Sequence, residues 1–321
     1  MRPTMMQYKI QANDEGERLD RWLTMHQEAL SRSRIQHLIQ DGFVRVNGKV
    51  IKASFKLSAL DVVDVDMPEP EPTDICPEDI PLDIFFEDEH VLVVNKPAGM
   101  TVHPATGVSS GTLVNALLAH CDHLSHMDGG KRPGIVHRLD KDTTGLMMVA
   151  KDNVTHRGLA EQLAKRSVIR QYSALVWGLF DESEGRIEAP IGRHNKDRTR
   201  MAIREDGRFA ATKWQVERVY EFTTLLSLQL ESGRTHQIRV HLAHLQHAVF
   251  GDPSYGGRDS RILGISPVYR SFAKQMFTLI SRQALHAQKL GFVHPHTGEK
   301  LVFESDLPAD MCALVDKLDG V

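Results

Sequence analysis

Two aspartates, Asp140 and Asp142, stand in a short polar segment between two apolar runs, where a carboxylate could act as a general base or a nucleophile. The run at 134–151 reads GIVHRLDKDTTGLMMVAK, which predicts a strand, a turn rich in Asp, Thr and Gly, and a second strand. Aspartates are also common turn formers. The pattern alone therefore favours a structural role for both side chains, with a catalytic role as the alternative.

Histidines are the other residues that could bind an ion, and four of them fall close together. They are His236, His241, His244 and His247. Only His241 and His244 are spaced to share one helix face, and no HExxH motif or cysteine partner completes a zinc site. We therefore expect no metal.

The region around these residues alternates short apolar runs with turn residues. It predicts a strand pair at 84–95, strands at 135–139, 146–151, 172–177 and 226–230, helices at 113–120 and 153–165, and a helix face formed by Ile238, Leu242 and Leu245. Asn153 is the predicted cap of its helix. Because several strands follow one another without helical crossovers, we expect an α+β fold with a mixed, largely antiparallel central sheet flanked by helices.

A smaller αα-β unit is predicted ahead of this region. Its two helices are indicated by apolar residues at helical spacing: Leu19, Trp22 and Leu23 in the first, and Ile35, Leu38 and Ile39 in the second. Ser31 or Ser33 would cap the second helix, and Gly42 ends it. Val44 and Val46 then alternate with a polar residue, and the dipeptide Asn47-Gly48 is a strong hairpin signal, with the return strand beginning at Val50 and Ile51.

Charge is distributed unevenly along the chain. Residues 1–57 carry 10 Lys and Arg against 6 Asp and Glu, whereas residues 58–90 carry none against 12. Residues 91–321 have 29 against 24, so the net charge of −3 hides two basic parts around an acidic connector. Basic surface attracts phosphate backbones, although a solvated face would have the same composition.

The connector also marks a domain boundary. The segment PEPEP at 68–72 can continue neither a helix nor a sheet. We expect one domain at 1–66, an acidic, proline-rich linker at 67–80 and a second domain at 81–321.

Composition excludes several classes of protein. Hydrophobic residues make up 41% of the chain and charged residues 25%, as in ordinary globular proteins. No stretch approaches the roughly 20 apolar residues of a membrane span, and the polar start lacks a secretory signal, so we expect a cytoplasmic protein. Cys76, Cys121 and Cys312 stand far apart, which indicates reduced thiols.

The run at 134–151 resembles the signature of the RluA-type pseudouridine synthases. The resemblance continues through Asn95-Lys96-Pro97, His103-Pro104, GRTHQIRVH at 233–241, Gly251-Asp252-Pro253, Tyr255-Gly256 and Ala284-Leu285-His286-Ala287. It is closest to the RluD branch, which acts on large-subunit ribosomal RNA. In this family the aspartate of the His-Arg-Leu-Asp element is the essential catalytic residue, so the resemblance implies a catalytic role for Asp140 and a pseudouridine synthase fold.

The implied reaction is the isomerisation of uridine to pseudouridine. The N1–C1′ bond breaks, the base turns, and C5 bonds to the same sugar carbon. Nothing is gained or lost overall, so we expect no cofactor, in keeping with the lack of a P-loop or dinucleotide motif. Asp140 could attack C1′ or C6, or abstract the 2′ proton to give a glycal, and the sequence leaves these open.

The resemblance also implies partners for Asp140. Arg239 would be its counter-charge, and Tyr172 would stack on the extracted base and assist proton transfer. Arg138 would contact phosphate or enter the RNA stack. Considered without the family, Arg239 could form a structural salt bridge and Tyr172 could be a half-buried strand residue.

The N-terminal segment resembles the S4 RNA-binding domain, through RLDR at 18–21, SRSR at 31–34 and VRVNGK at 44–49. Across the chain, RNA contacts are expected at Arg32, Arg34, Lys49, Arg138, Arg234 and His236. Helical geometry lets Arg32, Arg34 and Gln36 project away from the apolar face, which would leave the guanidinium groups free for phosphates. A solvated helix face is the alternative.

The expected function is therefore pseudouridine formation in 23S ribosomal RNA by a monomer, with helix 69 as the target that the RluD branch implies and a pre-ribosomal particle as a further candidate partner. A sibling enzyme that modifies other ribosomal or transfer RNA uridines is one alternative. A non-catalytic ribosome-assembly factor that only binds RNA is another, and a metal-dependent hydrolase is a distant third.

Overall fold

A computed structural model describes most of the chain. The described residues are 4–27, 32–67, 75–105, 107–127 and 132–320. Ser31 and residues 68–74 of the predicted linker at 67–80 lie outside them. The division of the chain at 66 and 81 stays a prediction.

The N-terminal part is a four-stranded antiparallel sheet with two helices. Its elements are β1 (Thr4–Lys9), α1 (Leu19–His26), α2 (Arg32–Gln40), β2 (Val44–Val46), β3 (Lys49–Val50) and β4 (Val62–Met67), with strand order β1-β4-β2-β3. The apolar residues that predicted the two helices are buried together against the sheet. Asn47 and Gly48 join β2 to β3 with φ of 50° and 75°, as a two-residue hairpin turn requires. Ser33 lies inside α2, so it does not cap that helix.

The remaining part is built on a nine-stranded sheet. The strands are β5 (Ile84–Glu87), β6 (Val91–Lys96), β7 (Thr144–Ala150), β8 (Ile169–Trp177), β9 (Glu184–Glu188), β10 (Ile191–Arg193), β11 (Met201–Ile203), β12 (Ala211–Val219), β13 (Thr223–Leu230), β14 (Leu285–Val293) and β15 (Lys300–Glu304). The sheet order is β5-β6-β7-β14-β8-β13-β12-β9, β15 pairs with β14, and β10 pairs separately with β11. Among these pairs only β7 and β14 run parallel, which confirms the mixed, largely antiparallel sheet.

Helices cover both faces of this sheet. They are α3 (Leu113–His120), α4 (Asn153–Ala164), α5 (Gln237–His244), α6 (Pro267–Met276) and α7 (Ala309–Asp319). Leu92 and Val94 of β6 pack in one cluster with residues of α3, α5, α6 and α7, whereas Val91 and Val93 pack with Leu159 of α4. Because strand side chains alternate between faces, burial on both sides explains the unbroken apolar run of β6.

The strand predicted at 135–139 is wrong. This segment bends along β7 with a single bridge between Ile135 and Val149. The N–H of Met148 donates to the His137 side chain at Nε2 (3.1 Å) rather than to a main-chain carbonyl. Burial lowers the pKa of His137 to about 3, so the ring stays a neutral acceptor. A side chain has therefore replaced the strand hydrogen bond.

Two smaller features complete the fold. The cap of α4 is Asp152, which accepts from the N–H of Thr155 (2.8 Å), and not Asn153 as predicted. Among the described residues, no helix is long and apolar enough to cross a bilayer.

Candidate active site

Asp140 lies at the start of the turn that leads into β7. Its carbonyl accepts from the N–H of Thr143 (3.1 Å), so its backbone builds the turn, as the residue pattern suggested. Its side chain is 16% exposed and lines a cleft of about 510 Å³. We call this the Asp140 cleft; it is formed by residues of 132–143, 163–172 and 230–239, with His103 and Leu285.

Two buried cations hold the turn by its carbonyl groups. Lys96 Nζ donates to the carbonyl of Lys141 (2.9 Å) and to two carbonyls of the turn at 97–100. Burial lowers the pKa of Lys96 to about 7, although nearby carboxylates oppose this. Arg282 Nη1 donates to the carbonyl of Asp142 (3.1 Å), and the rest of its guanidinium forms a two-bond ion pair with Asp310 of α7. The turn is therefore tied to the C-terminal helix.

A glycine lets the turn enter the sheet at this point. Gly145 has φ of 119°, and a Cβ there would lie 2.3 Å from the carbonyl oxygen of Ala287. The parallel strands β7 and β14 meet at these two residues. Any side chain at 145 would push them apart and shift the turn.

Arg239 of α5 is the cation nearest to the Asp140 carboxylate. Its Nη1 donates to Asp140 Oδ2 (3.0 Å), and its Nε and Nη2 donate to the two oxygens of Asp252 (2.7 and 3.0 Å). The ring of Tyr255 lies under the guanidinium, 4.9 Å from it. Burial opposes the charge of Arg239, but Asp252 and Asp140 outweigh it and raise its pKa above the ordinary value. One guanidinium thus bridges a buried carboxylate and a carboxylate in the cleft.

Asp252 orients Arg239, and sequence reasoning assigned it no role. Its side chain is 0% exposed, and Oδ1 also accepts from the N–H groups of Ser254 (2.8 Å) and Tyr255 (3.1 Å). The Gly-Asp-Pro motif at 251–253 was the signal that could have identified it. A carboxylate held by backbone donors is a rigid support for a cation.

His236 faces Asp140 from the start of α5. It adopts a left-handed backbone (φ 55°), and its Nε2 lies 3.9 Å from Asp140 Oδ1. Its Nδ1 shares a hydrogen bond with the hydroxyl of Tyr255 (2.7 Å). Gln237 is buried and holds this turn by accepting from the N–H of Arg234 (3.0 Å). Burial lowers the pKa of His236, so its ring is neutral around pH 7.

Tyr172 lies on β8 in the wall of the cleft and is buried. Burial raises its pKa to about 12, and the nearby Asp140 carboxylate adds to this rise. Its hydroxyl is therefore protonated at neutral pH. The structure brings together Asp140, Tyr172, Arg239 and His236, which are far apart in the sequence.

The remaining predicted RNA contacts fall in two places. Arg138 and Arg234 line the Asp140 cleft, where Arg138 is exposed and Arg234 donates to the carbonyl of Phe209 (3.0 Å). Arg32, Arg34 and Lys49 belong to the N-terminal part and do not line the cleft. Helix geometry was expected to leave the guanidinium groups of Arg32 and Arg34 free. This expectation is wrong for Arg32, which pairs with the buried Asp20 (2.9 Å). Gln36, predicted on the same face, also donates to Asp20 (2.9 Å).

Two groups of side chains in the described part of the chain lie close enough together to hold an ion. They are Glu87, His120 and Cys121, and His90, Asp152 and His296. The rings of His90 and His296 are stacked, with centroids 3.6 Å apart and planes 9° apart, so their lone pairs lie in parallel planes and cannot meet at one ion. Burial raises the pKa of the Cys121 thiol to about 11, which opposes the thiolate that a metal needs. His241 is hydrogen-bonded to Thr212 (2.9 Å) and to a carbonyl. The expected absence of a metal stays a prediction.

Comparisons with known proteins match both parts of the chain. Residues 90–244 match the model of the RNA pseudouridylate synthase family, and residues 17–63 match that of the S4 domain. The Bacillus subtilis protein named "Uncharacterized RNA pseudouridine synthase YlyB" is 46% identical over 98% of this chain and 99% of its own length. "Ribosomal large subunit pseudouridine synthase D" of Zymomonas mobilis is 46% identical over 94% of each chain, and that of Vibrio vulnificus is 41% identical over 94% of this chain and 91% of its own.

Solved structures agree on the fold. "Human RNA Pseudouridylate Synthase Domain Containing 4" superposes with a TM-score of 0.53 at 25% identity, over 74% of this chain and 93% of that one. "Human RNA Pseudouridylate Synthase Domain Containing 1" gives 0.54 at 24% identity, over 75% of this chain and 96% of that one.

Proposed function

This chain belongs to the RNA pseudouridylate synthase family, and we propose that it converts selected uridines of large-subunit ribosomal RNA to pseudouridine with Asp140 as the catalytic carboxylate. Relatives named for the ribosomal large subunit and the S4 match support an RNA of this class. The same proposal includes that the protein acts in the cytoplasm and as a monomer. It also includes helix 69 as the target and a pre-ribosomal particle as a partner. So do RNA contacts at Arg32, Arg34 and Lys49.

The observation that carries this proposal is the contact between Arg239 and Asp140 in the cleft. The permanent cation of Arg239 lies 3.0 Å from the Asp140 carboxylate, and Asp252 keeps that cation in place. The anion is the form needed for attack on carbon or for removal of a proton. The cleft volume of about 510 Å³ lies within the range of small-molecule sites, so a flipped nucleoside fits it.

In the proposed reaction the target uridine leaves the RNA stack and enters the cleft. Unstacking costs a few kcal/mol, and contacts of the base with Tyr172 and of the backbone with Arg138, Arg234 and His236 would offset it. Asp140 then attacks C1′ or C6, or takes the 2′ proton, so that the N1–C1′ bond breaks. The base turns and C5 bonds to C1′. The bond to Asp140 breaks, or the 2′ proton returns, and the C5 proton leaves while N1 gains a proton. The protonated hydroxyl of Tyr172 is suited to hydrogen-bond the turning base.

The direct test is release of tritium from RNA labelled at C5 of uridine. We expect Asp140→Asn and Asp140→Ala to abolish release while leaving the fold intact. Asp142→Asn makes the same chemical change two residues along the same turn and is the matched control, which should retain most of the turnover. Sustained release by the Asp140 variants would remove this residue from its role.

Two further outcomes separate the alternatives. Maps of pseudouridine in ribosomal and transfer RNA, with and without the gene, would reveal whether the target lies in helix 69 or is that of a sibling enzyme. Tight RNA binding without any product from the wild-type chain would favour a non-catalytic assembly factor.

A further inference from the structure

Arg170 is a buried cation, and no carboxylate among the described residues forms an ion pair with it. It lies on β8, and only 7% of its surface is exposed. Its Nε has no hydrogen-bond acceptor among the residues that the structure describes. Among the described groups, only a negatively charged Tyr172 would stabilise the charged form of Arg170. The Tyr172 hydroxyl is protonated at neutral pH and therefore carries no such charge. Burial alone lowers the pKa of Arg170, but a guanidinium remains charged in proteins.

Two other buried arginines of this region, in contrast, are each paired with a carboxylate. Arg239 forms a two-bond pair with Asp252, and Arg282 forms one with Asp310. An unpaired charge in the interior is strongly unfavourable, because it has lost its hydration without gaining a partner. The fold therefore carries a cost at Arg170 that a bound anion would remove.

The position of Arg170 indicates where that anion would be. Arg170 and Tyr172 are two residues apart on one strand, so both side chains project from the same face, roughly 7 Å apart along β8. Both line the Asp140 cleft. A Cβ at Gly233 would lie 3.0 Å from Arg170 Nη1, so the guanidinium ends close to the backbone that follows the neighbouring strand β13.

The charge of the cleft agrees with an anionic occupant. Its lining includes six arginines, Arg132, Arg138, Arg166, Arg170, Arg234 and Arg239, against the two acids Asp140 and Glu231. The uracil base is neutral and cannot compensate a cation, whereas a phosphodiester carries a full negative charge and matches a guanidinium with two parallel hydrogen bonds. A base stacked on Tyr172 would place the phosphate of its own nucleotide one side chain further along β8.

We propose that Arg170 binds the phosphodiester of the flipped uridine nucleotide and so holds its sugar in place beside Asp140. This inference rests on the proposed function, since it requires a nucleotide in the cleft. It assigns Arg170 to substrate binding and leaves the bond-making steps to Asp140.

The experiment compares Arg170→Gln and Arg170→Lys with the wild-type chain, using an unmodified large-subunit ribosomal RNA transcript labelled with tritium at C5 of uridine. Arg218→Gln removes the same charge from an exposed position on β12 and is the matched control. We expect Arg170→Gln to bind RNA about 10- to 100-fold more weakly, as for the loss of a charged hydrogen bond. The slope of log K against log salt should fall by about 0.7, the value for one phosphate of a single strand. Arg170→Lys should keep the slope, and Arg218→Gln should match the wild type.

Thermal unfolding separates binding from a structural role. If Arg170 serves the substrate, Arg170→Gln removes an unpaired buried charge, and its Tm stays equal or rises. A lower Tm together with unchanged RNA affinity would assign Arg170 to the fold and overturn the proposal.

A synthetic hairpin around a uridine that the wild type converts allows a sharper test. Replacing the phosphate on the 5′ side of that uridine with an uncharged methylphosphonate should weaken wild-type binding by the same factor as Arg170→Gln, and should not weaken Arg170→Gln further. Additive losses would refute the contact. Wild-type turnover with full affinity in Arg170→Gln would refute this inference alone, whereas a wild-type chain that releases no tritium would refute the proposed function.

Discussion

The substitution Asp252→Asn tests whether Asp140 depends on a buried carboxylate that lies outside the cleft. Asp252 does not line the cleft, yet its carboxylate accepts hydrogen bonds from two of the three guanidinium nitrogens of Arg239. Asparagine keeps the size of the side chain but removes its charge. Its carbonyl can accept one of the two bonds, and its amide N–H groups then face the second N–H of Arg239, which is repulsive.

The size of the effect follows from these contacts. A hydrogen bond to a charged group contributes about 1.5 to 3 kcal/mol, and 1.36 kcal/mol corresponds to a tenfold change in rate. If Arg239 shifts away from Asp140, we expect kcat to fall about 10- to 150-fold. Breaking a buried ion pair costs about 3 to 5 kcal/mol of unfolding free energy, which for a domain of this size lowers Tm by roughly 6 to 20 °C.

The assay is single-turnover tritium release with enzyme in excess over RNA, at a temperature where circular dichroism shows the variant folded. RNA affinity is measured separately by filter binding and should stay close to that of the wild type. Asp206→Asn, which unpairs Arg204 at an exposed ion pair, is the matched control and should change neither kcat nor Tm. Wild-type kcat in Asp252→Asn would refute the view that Asp252 positions Arg239 for the reaction.

Two more predictions concern groups around the cleft. Because burial raises the pKa of Tyr172 to about 12, its hydroxyl stays protonated below that pH. Between about pH 6 and pH 10, kcat of Tyr172→Phe should therefore be lower than that of the wild type but should depend on pH in the same way. A fall of kcat at high pH that is present in the wild type and absent in the variant would contradict this. Asp310→Asn unpairs Arg282 from α7 and should lower kcat about tenfold with little change in KM. Asp319→Asn, on the same helix, unpairs the exposed Arg218 of β12 and should have no effect. Equal effects of the two substitutions would show that α7 does not influence kcat through the contact of Arg282 with the Asp140 turn.

Local patterns predicted most of the elements correctly, because periodicity reports which side of a strand or helix is buried. The buried faces of α1 and α2, the Asn47-Gly48 hairpin and the double-sided burial of β6 follow from residue spacing. The segment at 135–139 has the same apolar spacing as a strand. It fails to form one because the His137 side chain takes the hydrogen bond that a backbone carbonyl would have accepted.

The sequence by itself determined the fold class and the family, since these depend on short motifs and on the order of elements, and the family motifs led to the proposal of Asp140, Tyr172 and Arg239 as site residues. Only the tertiary structure decided which charges meet. Asp140 and Arg239 are 99 positions apart, and the pairing of Arg239 with Asp252 depends on where the chain returns after α5. Residue spacing likewise does not reveal the ion pair of Arg32 with Asp20, or that Arg170 Nε has no acceptor among the described residues. The physical reason is that the free energy of a charge depends on its burial and its partners, and both are properties of the packed chain rather than of neighbouring residues in the sequence.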